Sequence, residues 1–353
     1  MGNSELRQLD TRQQCREKLP IWFGSRSNHY HGLLEVMMNA NDEMVTHPSP
    51  DRPFQIDVCL WDDEQTVTVT DYGRGIKLTD KHNGTPLYEL LFETLFAGTN
   101  FDNAESGKET TGTNGCGLTV LNHTCNVFSC RSVVDSVLYS VEYSNGGLHR
   151  DVAESVTNYK MMNGSTFAFR LDPEMYTQIT FSAEIIKEMC NHLAGISKGL
   201  RINFHSLKNK ETYHYSDIAD YMTKNCEQTI GKQYEFDERT ESEEVENNRM
   251  KLVWSIGTDP FQESYLNCTY LREGGTIYDG VIEGFRKVLD KYSDKKVKIT
   301  AADIELGLNF VCGLWTNNVE FANQTKFSTK KTSYKKHIVK YVSDNLEALE
   351  STQ

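Results

Sequence analysis

The sequence lacks long apolar runs and closely paired cysteines. No run approaches the roughly 18 apolar residues that a membrane-spanning helix needs, and the first twenty residues contain no apolar core of a secretion signal. None of the nine cysteines forms a C-x-x-C pair, which excludes a zinc-ribbon or dithiol-redox role. We therefore expect an intracellular, cytoplasmic protein with reduced thiols and no membrane partner.

Basic charge and the common nucleotide motifs are also scarce. The chain has 37 basic and 50 acidic residues, and its net charge of -13 repels a phosphate backbone unless basic side chains are clustered. Gly107-Lys108 is followed by Glu109 and lacks the Walker spacing, and neither glycine pair, Gly73/Gly75 or Gly115/Gly117, has the third glycine of a dinucleotide loop. A P-loop and a Rossmann site are both excluded.

The length of 353 residues predicts two domains. In the first we expect a helix over 27–46 and a hairpin of Phe54–Leu60 with Thr66–Thr70. An acidic, exposed stretch at Glu235–Glu246 precedes a strand, turn, helix and strand that indicate a βαβ crossover. We place the first domain at 1–212 and the second at 213–353.

The further predicted elements complete this layered α+β organisation. In the first domain they are helices at 87–96, 117–123 and 182–193 and strands at 125–130, 137–143, 165–171 and 200–204. In the second they are strands at 251–256, 263–270 and 306–315 and helices at 278–292 and 334–349.

A polar stripe follows one face of the first predicted helix. His31, Glu35 and Asn39 are spaced four apart, which stacks an imidazole, a carboxylate and an amide. Such a carboxylate can act as a general base on water while the histidine orients it, and the amide oxygen can hold a hard cation. A solvated helix face is the competing interpretation of the same pattern.

Two glycine-containing segments are candidates for ligand binding. Asp71-x-Gly73-x-Gly75 follows a predicted strand, where glycines allow a flat ligand to approach and the carboxylate can accept from an exocyclic amine. An ordinary hairpin turn is the alternative. Residues 111–117 form a glycine-rich loop that opens a helix, and the free N–H groups at a helix start suit phosphates. The long polar segment 98–114 before it is typical of a functional lid.

Taken together and in this order, these segments resemble the motifs of the GHKL ATPases and, within them, the ATPase region of the type IIA DNA topoisomerases. The E-x-x-x-N motif matches Glu35 and Asn39, and the D-x-G-x-G-I motif matches Asp71 to Ile76. The lid and third motif match residues 101–103 and 112–117. Gln324-Thr325-Lys326 matches the Q-T-K loop of the transducer domain, which is the most specific single signal.

The resemblance implies a fold and a set of roles. The fold is α+β, a GHKL (Bergerat) ATP-binding layered α/β sandwich followed by a transducer domain with a right-handed βαβ crossover. The implied cofactors are ATP and Mg²⁺. Glu35, oriented by His31, activates water, and Asn39 holds the metal. Gln324 and Lys326 act at the γ-phosphate. The other implied nucleotide contacts are Asp71, Gly73, Gly75, Ile76, Thr99, Asn100, Lys108, Gly112, Thr113, Asn114, Gly115, Cys116, Gly117, Leu118, Thr119, Thr166 and Thr325.

The resemblance also implies partners. These are a second copy on nucleotide binding, a cleavage subunit or downstream domains that carry the acidic metal cluster and the tyrosine, and double-stranded DNA held by the assembly. A local basic patch at 330–336 is a candidate DNA contact.

Two departures from the family pattern bear on the site. The lid lysine is missing at Asn100, so Lys108 is expected to supply that charge, and Trp22-Phe23 leaves exchange of the N-terminal arm between protomers open.

Two other functions remain as alternatives. One is a stand-alone GHKL clamp, of the mismatch-repair MutL or heat-shock chaperone kind, which grips a partner without cutting DNA. The other is a degenerate, nucleotide-binding structural subunit, which the intact Glu35, Asn39 and Lys326 disfavour. The Gly274-Gly275-Thr276 turn and the Q-T-K loop favour the topoisomerase.

Overall fold

The computed structural model of the chain describes residues 8–97, 115–156, 161–240, 248–294 and 297–351. These residues form two compact units. The first comprises the described residues up to Asn191 together with Leu200–Tyr213, and the second comprises His192–Gly199 and the described residues from His214 onward. The predicted lid, residues 98–114, lies outside the described residues.

An eight-stranded sheet forms the first unit, in the order β10-β9-β1-β2-β8-β5-β6-β7. Its strands are β1 (Gln55–Leu60), β2 (Thr66–Asp71), β5 (Cys125–Val134), β6 (Val137–Ser144), β7 (His149–Val156), β8 (Gly164–Leu171), β9 (Arg201–His205) and β10 (Lys210–His214). A short hairpin joins β3 (Lys81–His82) to β4 (Thr85–Pro86).

The predicted hairpin and its alternation are confirmed. Strands β1 and β2 pair antiparallel, with Val58 opposite Val69, and each strand alternates half-buried and buried residues. Strand β8 lies on the other side of β2 and places Ser165 opposite Asp71. The C-terminal end of β2 is thereby set in the middle of the sheet.

The described residues of this part of the chain contain six helices: α1 (Thr11–Glu17), α2 (Leu19–Phe23), α3 (His31–Thr46), α4 (Leu87–Phe92), α5 (Gly117–Thr124) and α6 (Ala183–Ile196), whose last residues belong to the second unit. Helix α3 packs on β2 and on α5. Gly32 permits the second contact, because a Cβ there would stand 2.5 Å from Cδ1 of Leu121. Helix α3 is therefore held between a strand end and a helix start.

A five-stranded sheet forms the second unit, in the order β11-β12-β15-β13-β14. The strands are β11 (Ile230–Thr240), β12 (Asn248–Ile256), β13 (Gln262–Leu266), β14 (Thr269–Tyr270) and β15 (Leu308–Thr316), and the helices are α7 (Ile218–Asn225), α8 (Thr276–Tyr292), α9 (Ala301–Gly307) and α10 (Thr332–Ser351). Strands β13 and β15 pair in parallel and are joined through α8 and α9, as the predicted crossover requires.

Helices α8 and α10 cross at two glycines of α8. A Cβ on Gly280 would stand 2.9 Å from Cβ of Ile338, and one on Gly284 would stand 2.7 Å from Cβ of Val342. Both partners are fully buried in the apolar core of this unit, which also contains Phe310. The absence of a side chain at these two positions lets the helix backbones approach closely.

Several predicted boundaries were wrong, and each has a local cause. The first helix begins at His31 and not at 27, because a turn closed by a bond from Asn28 N–H to the Ser25 carbonyl precedes it. The helix predicted to reach residue 96 ends at Phe92, whose carbonyl accepts from the side chain of Asn122. The strand predicted over 263–270 is broken at Asn267, which has φ of 51°.

The acidic stretch and the start of the last strand also differ from prediction. Residues 235–240 belong to strand β11, and Glu235 pairs with Lys251 at 2.6 Å across the strands. Residues 241–247 lie outside the described part. The strand predicted from residue 306 begins at Leu308, because a capping box between Thr300 and Asp303 starts helix α9 before it.

Across the described residues, no helix combines the length and the apolar character needed to cross a bilayer. None of the nine cysteines, all of which the structure describes, forms a disulfide.

Candidate active site

The polar stripe predicted on the first helix is present on α3. His31 Nε2 lies 3.4 Å from Glu35 Oε1, and both residues are buried. The ring of Phe23 packs on the imidazole with centroids 4.7 Å apart. Since the imidazole is enclosed in this way, it holds the carboxylate of Glu35 in a defined direction.

The carboxylate of Glu35 lies against the start of helix α5. A Cβ built on Gly117 would stand 2.4 Å from Oε2 of Glu35 and 3.0 Å from its Cδ. No side chain larger than glycine fits there without displacing the carboxylate. The first and third predicted motifs therefore meet at these two residues.

Asn39, the third member of the stripe, is half-buried one turn further along α3. Its side-chain amide makes no hydrogen bond with the part of the chain that the structure describes, which leaves its oxygen available to a ligand. No group of three histidine, cysteine or acidic side chains among the described residues could hold a metal ion by itself. A cation at Asn39 would need further oxygen ligands, such as phosphates.

Asp71 ends strand β2 as a buried carboxylate, 5% exposed. Its Oδ1 accepts from the N–H of Gly73 at 2.8 Å and from that of Ser165 at 3.4 Å. Within the described residues no other residue donates to Oδ2. Burial, with a further contribution from the charge of Glu43, outweighs the hydrogen bonds from the backbone of Gly73, of Ser165 and of Asp71 itself and raises the pKa of Asp71 to about 6.

The two glycines after Asp71 are required by close contacts. A Cβ on Gly73 would stand 2.3 Å from Cγ of Glu43, and one on Gly75, which has φ of 75°, would stand 2.4 Å from the carbonyl oxygen of Val133. The turn then ends where Ile76 N–H donates to Ser132 Oγ at 2.6 Å. These contacts fix the backbone beside Asp71.

An ion pair between Glu43 of α3 and Arg74 stabilises the same turn. Glu43 accepts from the backbone N–H of Arg74 at 2.8 Å and from its guanidinium at 2.9 and 3.0 Å, and His47 Nδ1 lies 3.2 Å away. Burial opposes ionisation of Glu43, but the bonds and charge of Arg74 prevail and lower the pKa of this carboxyl. The Asp71 turn is thus tied to α3.

Helix α5 presents its N-terminal end to this site. Gly115 has φ of 56°, and neither it nor the N-cap residue Cys116 provides a side-chain cap. The first N–H groups of the helix, from Gly117 to Thr119, have no acceptor within the helix, and Leu118 is half-buried. The hydroxyl of Thr119 is used elsewhere, since it donates to the carbonyls of Leu91 and Thr94. Only its backbone is left for an anion.

Thr166 lies on β8 beside the end of β2. Its hydroxyl is 3.0 Å from that of Thr70, and the neighbouring Ser165 Oγ is 3.1 Å from Ser132 Oγ. The predicted residues Thr99, Asn100, Lys108, Gly112, Thr113 and Asn114 lie outside the described residues. Sequence reasoning missed Ser132 and Ser165, because a serine inside a strand carries no signal of its own.

The predicted Q-T-K loop lies in the second unit. Gln324 is exposed, whereas Thr325 and Lys326 are buried, and Lys326 has φ of 60°. The N–H of Thr325 donates to Asn323 Oδ1 at 3.1 Å, and the N–H of Lys326 donates to the Asn323 carbonyl at 3.2 Å. The loop is therefore a closed local turn with its lysine in a left-handed conformation.

The Gly274-Gly275-Thr276 turn holds the far end of this loop. A Cβ on Gly275, which has φ of 109°, would stand 2.4 Å from the carbonyl oxygen of Thr329. The N–H of Thr276 donates to that carbonyl at 3.1 Å, and the hydroxyls of Thr276 and Thr329 are 2.6 Å apart and buried. Glu273 N–H adds a bond to the Phe327 carbonyl. The Gly274-Gly275-Thr276 turn and the Q-T-K loop, which lie far apart in the sequence, thus form one structural feature.

Comparison with known proteins extends this description. A family model described as DNA gyrase B matches residues 215–352. The chain is 23% identical to DNA gyrase B of Staphylococcus aureus, over 98% of this chain and 55% of that protein, and 26% identical to the DNA topoisomerase 4 B protein of Mycoplasma capricolum subsp. capricolum, over 96% and 53%. It therefore spans about half the length of the curated relatives it matches.

The structural likeness covers nearly the whole chain. The ATPase region of Saccharomyces cerevisiae topoisomerase II superposes with a TM-score of 0.74 at 17% identity, over 97% of each chain. This shows that the fold is the layered GHKL sandwich followed by a transducer domain. The resemblance seen in the motifs is confirmed.

Proposed function

We propose that this chain, which belongs with the ATPase and transducer regions of the type IIA DNA topoisomerases, binds and hydrolyses ATP and uses the nucleotide to control association of two copies. The observation that carries the proposal is the contact of the buried Glu35 carboxylate with Gly117 at the start of α5. It brings a general base to the place where a helix start can receive phosphates.

The described residues suit a bound adenine nucleotide. The buried Asp71 has an oxygen to which no other described residue donates, and an exocyclic amine would satisfy it. The N–H groups from Gly117 to Thr119 would take phosphate oxygens, and the amide oxygen of Asn39 would be one ligand of Mg²⁺. When bound, the metal neutralises phosphate charge during phosphoryl transfer.

Two side chains would carry the chemistry. Glu35 accepts a proton from water, while His31 keeps the carboxylate in place. Lys326 supplies positive charge to the γ-phosphoryl group, with Gln324 and Thr325 in the same loop, and stabilises the charge that develops there. The buried left-handed turn at Lys326 supports this role, because a lysine in such a conformation is held by its surroundings.

The relatives support a wider activity for this chain. We propose that the chain works with a DNA-cleaving subunit or with downstream domains in an intracellular type IIA topoisomerase, where ATP turnover is coupled to passage of a DNA duplex. We place the boundary between its ATPase and transducer domains near residue 212. Lys330, Lys331, Lys335 and Lys336 offer a local positive patch for DNA in a chain of net charge -13.

The proposal is tested by measuring mass with light scattering, with and without a non-hydrolysable ATP analogue and Mg²⁺. The wild-type chain should be a monomer that becomes a dimer with nucleotide. Asn39→Ala should stay monomeric, because a metal ligand is lost. Asp51→Ala, an exposed change outside the site, is the matched control and should dimerise normally.

Each result bears on the assignment. Failure of the wild-type chain to bind the analogue would contradict the nucleotide site. Binding of the analogue without a change of mass would contradict nucleotide-controlled association but would remain consistent with the ATP site. Nucleotide-driven dimerisation with no stimulation of turnover by DNA would instead favour a stand-alone GHKL clamp.

A further inference from the structure

An arginine of the second unit stacks on the residue that follows Lys326 in the chain. The guanidinium carbon of Arg272 lies over the ring of Phe327, 3.5 Å from its centroid. At this separation the planar guanidinium has to lie flat on the ring, because a tilted one would drive a nitrogen into the ring carbons. Arginine favours such stacking, since its charge is spread over a flat group. The two side chains join the turn before α8 to the end of the Q-T-K loop.

The backbone of Arg272 is fixed by the second sheet. Arg272 lies in a tight turn between β14 and α8, which the N–H of Gly274 closes by donating to the Leu271 carbonyl at 2.8 Å. Leu271 is buried, and its own N–H donates to the Ser264 carbonyl at 2.9 Å. The exposed Arg272 side chain therefore extends from a held backbone to the ring of Phe327.

The ring is the one partner of the Arg272 guanidinium within the described part of the chain. None of the described residues accepts a hydrogen bond from it or forms an ion pair with it. Arg249 differs, because it lies over the ring of Trp315 and is also paired with Asp237 at 3.1 Å. The stack on Phe327 therefore accounts for the position of the Arg272 guanidinium.

Phe327 is the point at which this turn holds the loop. Its carbonyl accepts from the N–H of Glu273 at 3.0 Å, so neighbouring residues of the turn hold its backbone and its ring. Lys326, directly before it, has φ of 60°, a conformation that residues other than glycine rarely adopt and that persists only where the surroundings hold it. The bond from Lys326 N–H to the Asn323 carbonyl holds one side of this residue, and the contacts at Phe327 hold the other.

We propose that Arg272 is a positioning residue for ATP hydrolysis: its guanidinium, stacked on Phe327, keeps Lys326 in the left-handed turn from which the lysine acts on the γ-phosphoryl group. This role rests on the proposed function, because it depends on the action of Lys326 at that group. Arg272 itself does not touch the nucleotide. It acts through the loop, so its loss affects the chemical step more than the binding of ATP.

Steady-state ATP hydrolysis by the full chain tests this role. Arg272→Ala should lower kcat about fivefold, the scale of one exposed cation–ring contact, while KM and the affinity for a non-hydrolysable analogue stay nearly constant. Arg272→Lys keeps a cation over the ring and should retain more of the turnover than Arg272→Ala. Lys232→Ala is the matched control, because Lys232 lies over the ring of Tyr234 on β11, and it should turn over ATP like the wild-type chain.

A double-mutant cycle separates positioning from direct contact with the phosphate. Phe327→Leu removes the ring but keeps an apolar side chain, and it should lower kcat to a similar extent. In this background Arg272→Ala should cause little further loss, since the two groups act as a unit. Thermal melting of the four proteins checks that each is folded at the assay temperature.

Three results would overturn the inference alone. Full turnover in Arg272→Ala, beside an active wild-type chain, would remove Arg272 from the reaction. An equal loss of kcat with and without the Phe327 ring would mean that the guanidinium acts on the phosphate directly. A higher KM with an unchanged kcat would assign Arg272 to ATP binding. A wild-type chain that binds the analogue but hydrolyses no ATP would contradict the proposed function itself, and this role with it.

Discussion

Gly117 lies so close to Glu35 that a Cβ on the glycine would stand 2.4 Å from the carboxylate Oε2. We expect Gly117→Ala to displace the carboxylate and to reduce ATP turnover at least about 100-fold, since misplacing a catalytic group by about 1 Å has this effect. It should also lower the melting temperature, although alanine is the better helix former by about 1 kcal/mol. Gly307→Ala is the control, because a Cβ there meets nothing within 4 Å. Equal turnover in both variants would contradict the role of this contact.

Glu35 is the proposed general base. Glu35→Gln keeps the shape of the side chain and its place beside His31 but cannot accept the proton, so kcat should fall about 10²- to 10⁴-fold. Binding of a non-hydrolysable analogue, measured by calorimetry, should change little. Glu64→Gln, an exposed position outside the site, should retain full turnover. Unchanged hydrolysis in Glu35→Gln would place the base elsewhere.

Asp71 gives the site a pH dependence. Because its pKa in the folded chain is raised from 3.8 to about 6, the folded state binds more protons than the unfolded state between these values, and stability should fall as pH rises through this window. The difference between these two pKa values corresponds to roughly 3 kcal/mol in the free energy of unfolding. Asp71→Asn should flatten the curve of unfolding free energy against pH between about 4 and 6. Denaturant titrations at a series of pH values measure the free energy of unfolding. If this free energy depends on pH in the same way in the wild-type chain and in Asp71→Asn, the raised pKa does not belong to Asp71.

The same carboxylate should make nucleotide binding pH-dependent. An ionised Asp71 is the stronger acceptor for an amine, so affinity for the ATP analogue should weaken as pH falls below about 6, by up to about tenfold per unit. Calorimetric titrations between pH 5 and 8 test this. If Asp71→Asn retains the full pH dependence, another group is responsible.

Thr276 holds the loop that carries Lys326. Thr276→Val removes the hydroxyl that meets Thr329 Oγ1 at 2.6 Å and leaves a buried hydroxyl without its partner, at a cost of about 1–3 kcal/mol in stability. We expect kcat to fall while KM for ATP stays nearly constant, because the loop acts on the γ-phosphoryl group and not on adenine. Thr276→Ser should restore kcat. If Thr276→Val loses stability but keeps its kcat, the turn has a structural role and does not act in turnover.

Local patterning predicted the elements that have a strong period. The stripe on α3, the β1–β2 hairpin and helix α5 were predicted because each repeats apolar residues at the spacing of its own backbone. Elements without such a period were missed. Helix α2 has only five residues, α1 and α9 have seven each, and β7 is an edge strand whose residues are mostly exposed.

The sequence by itself determined which side chains share a face, because the four-residue spacing of His31, Glu35 and Asn39 and the order of the motifs follow from helix geometry and chain connectivity. The resemblance of those motifs extended this to the fold. Only the tertiary structure decided that Gly117 lies against the Glu35 carboxylate and that Gly275 packs against the Thr329 backbone. It also decided that Asp71 is buried deeply enough to raise its pKa to about 6. These properties depend on packing between segments distant in the chain, and the burial and electrostatic environment of a side chain are set by neighbours that no local pattern specifies.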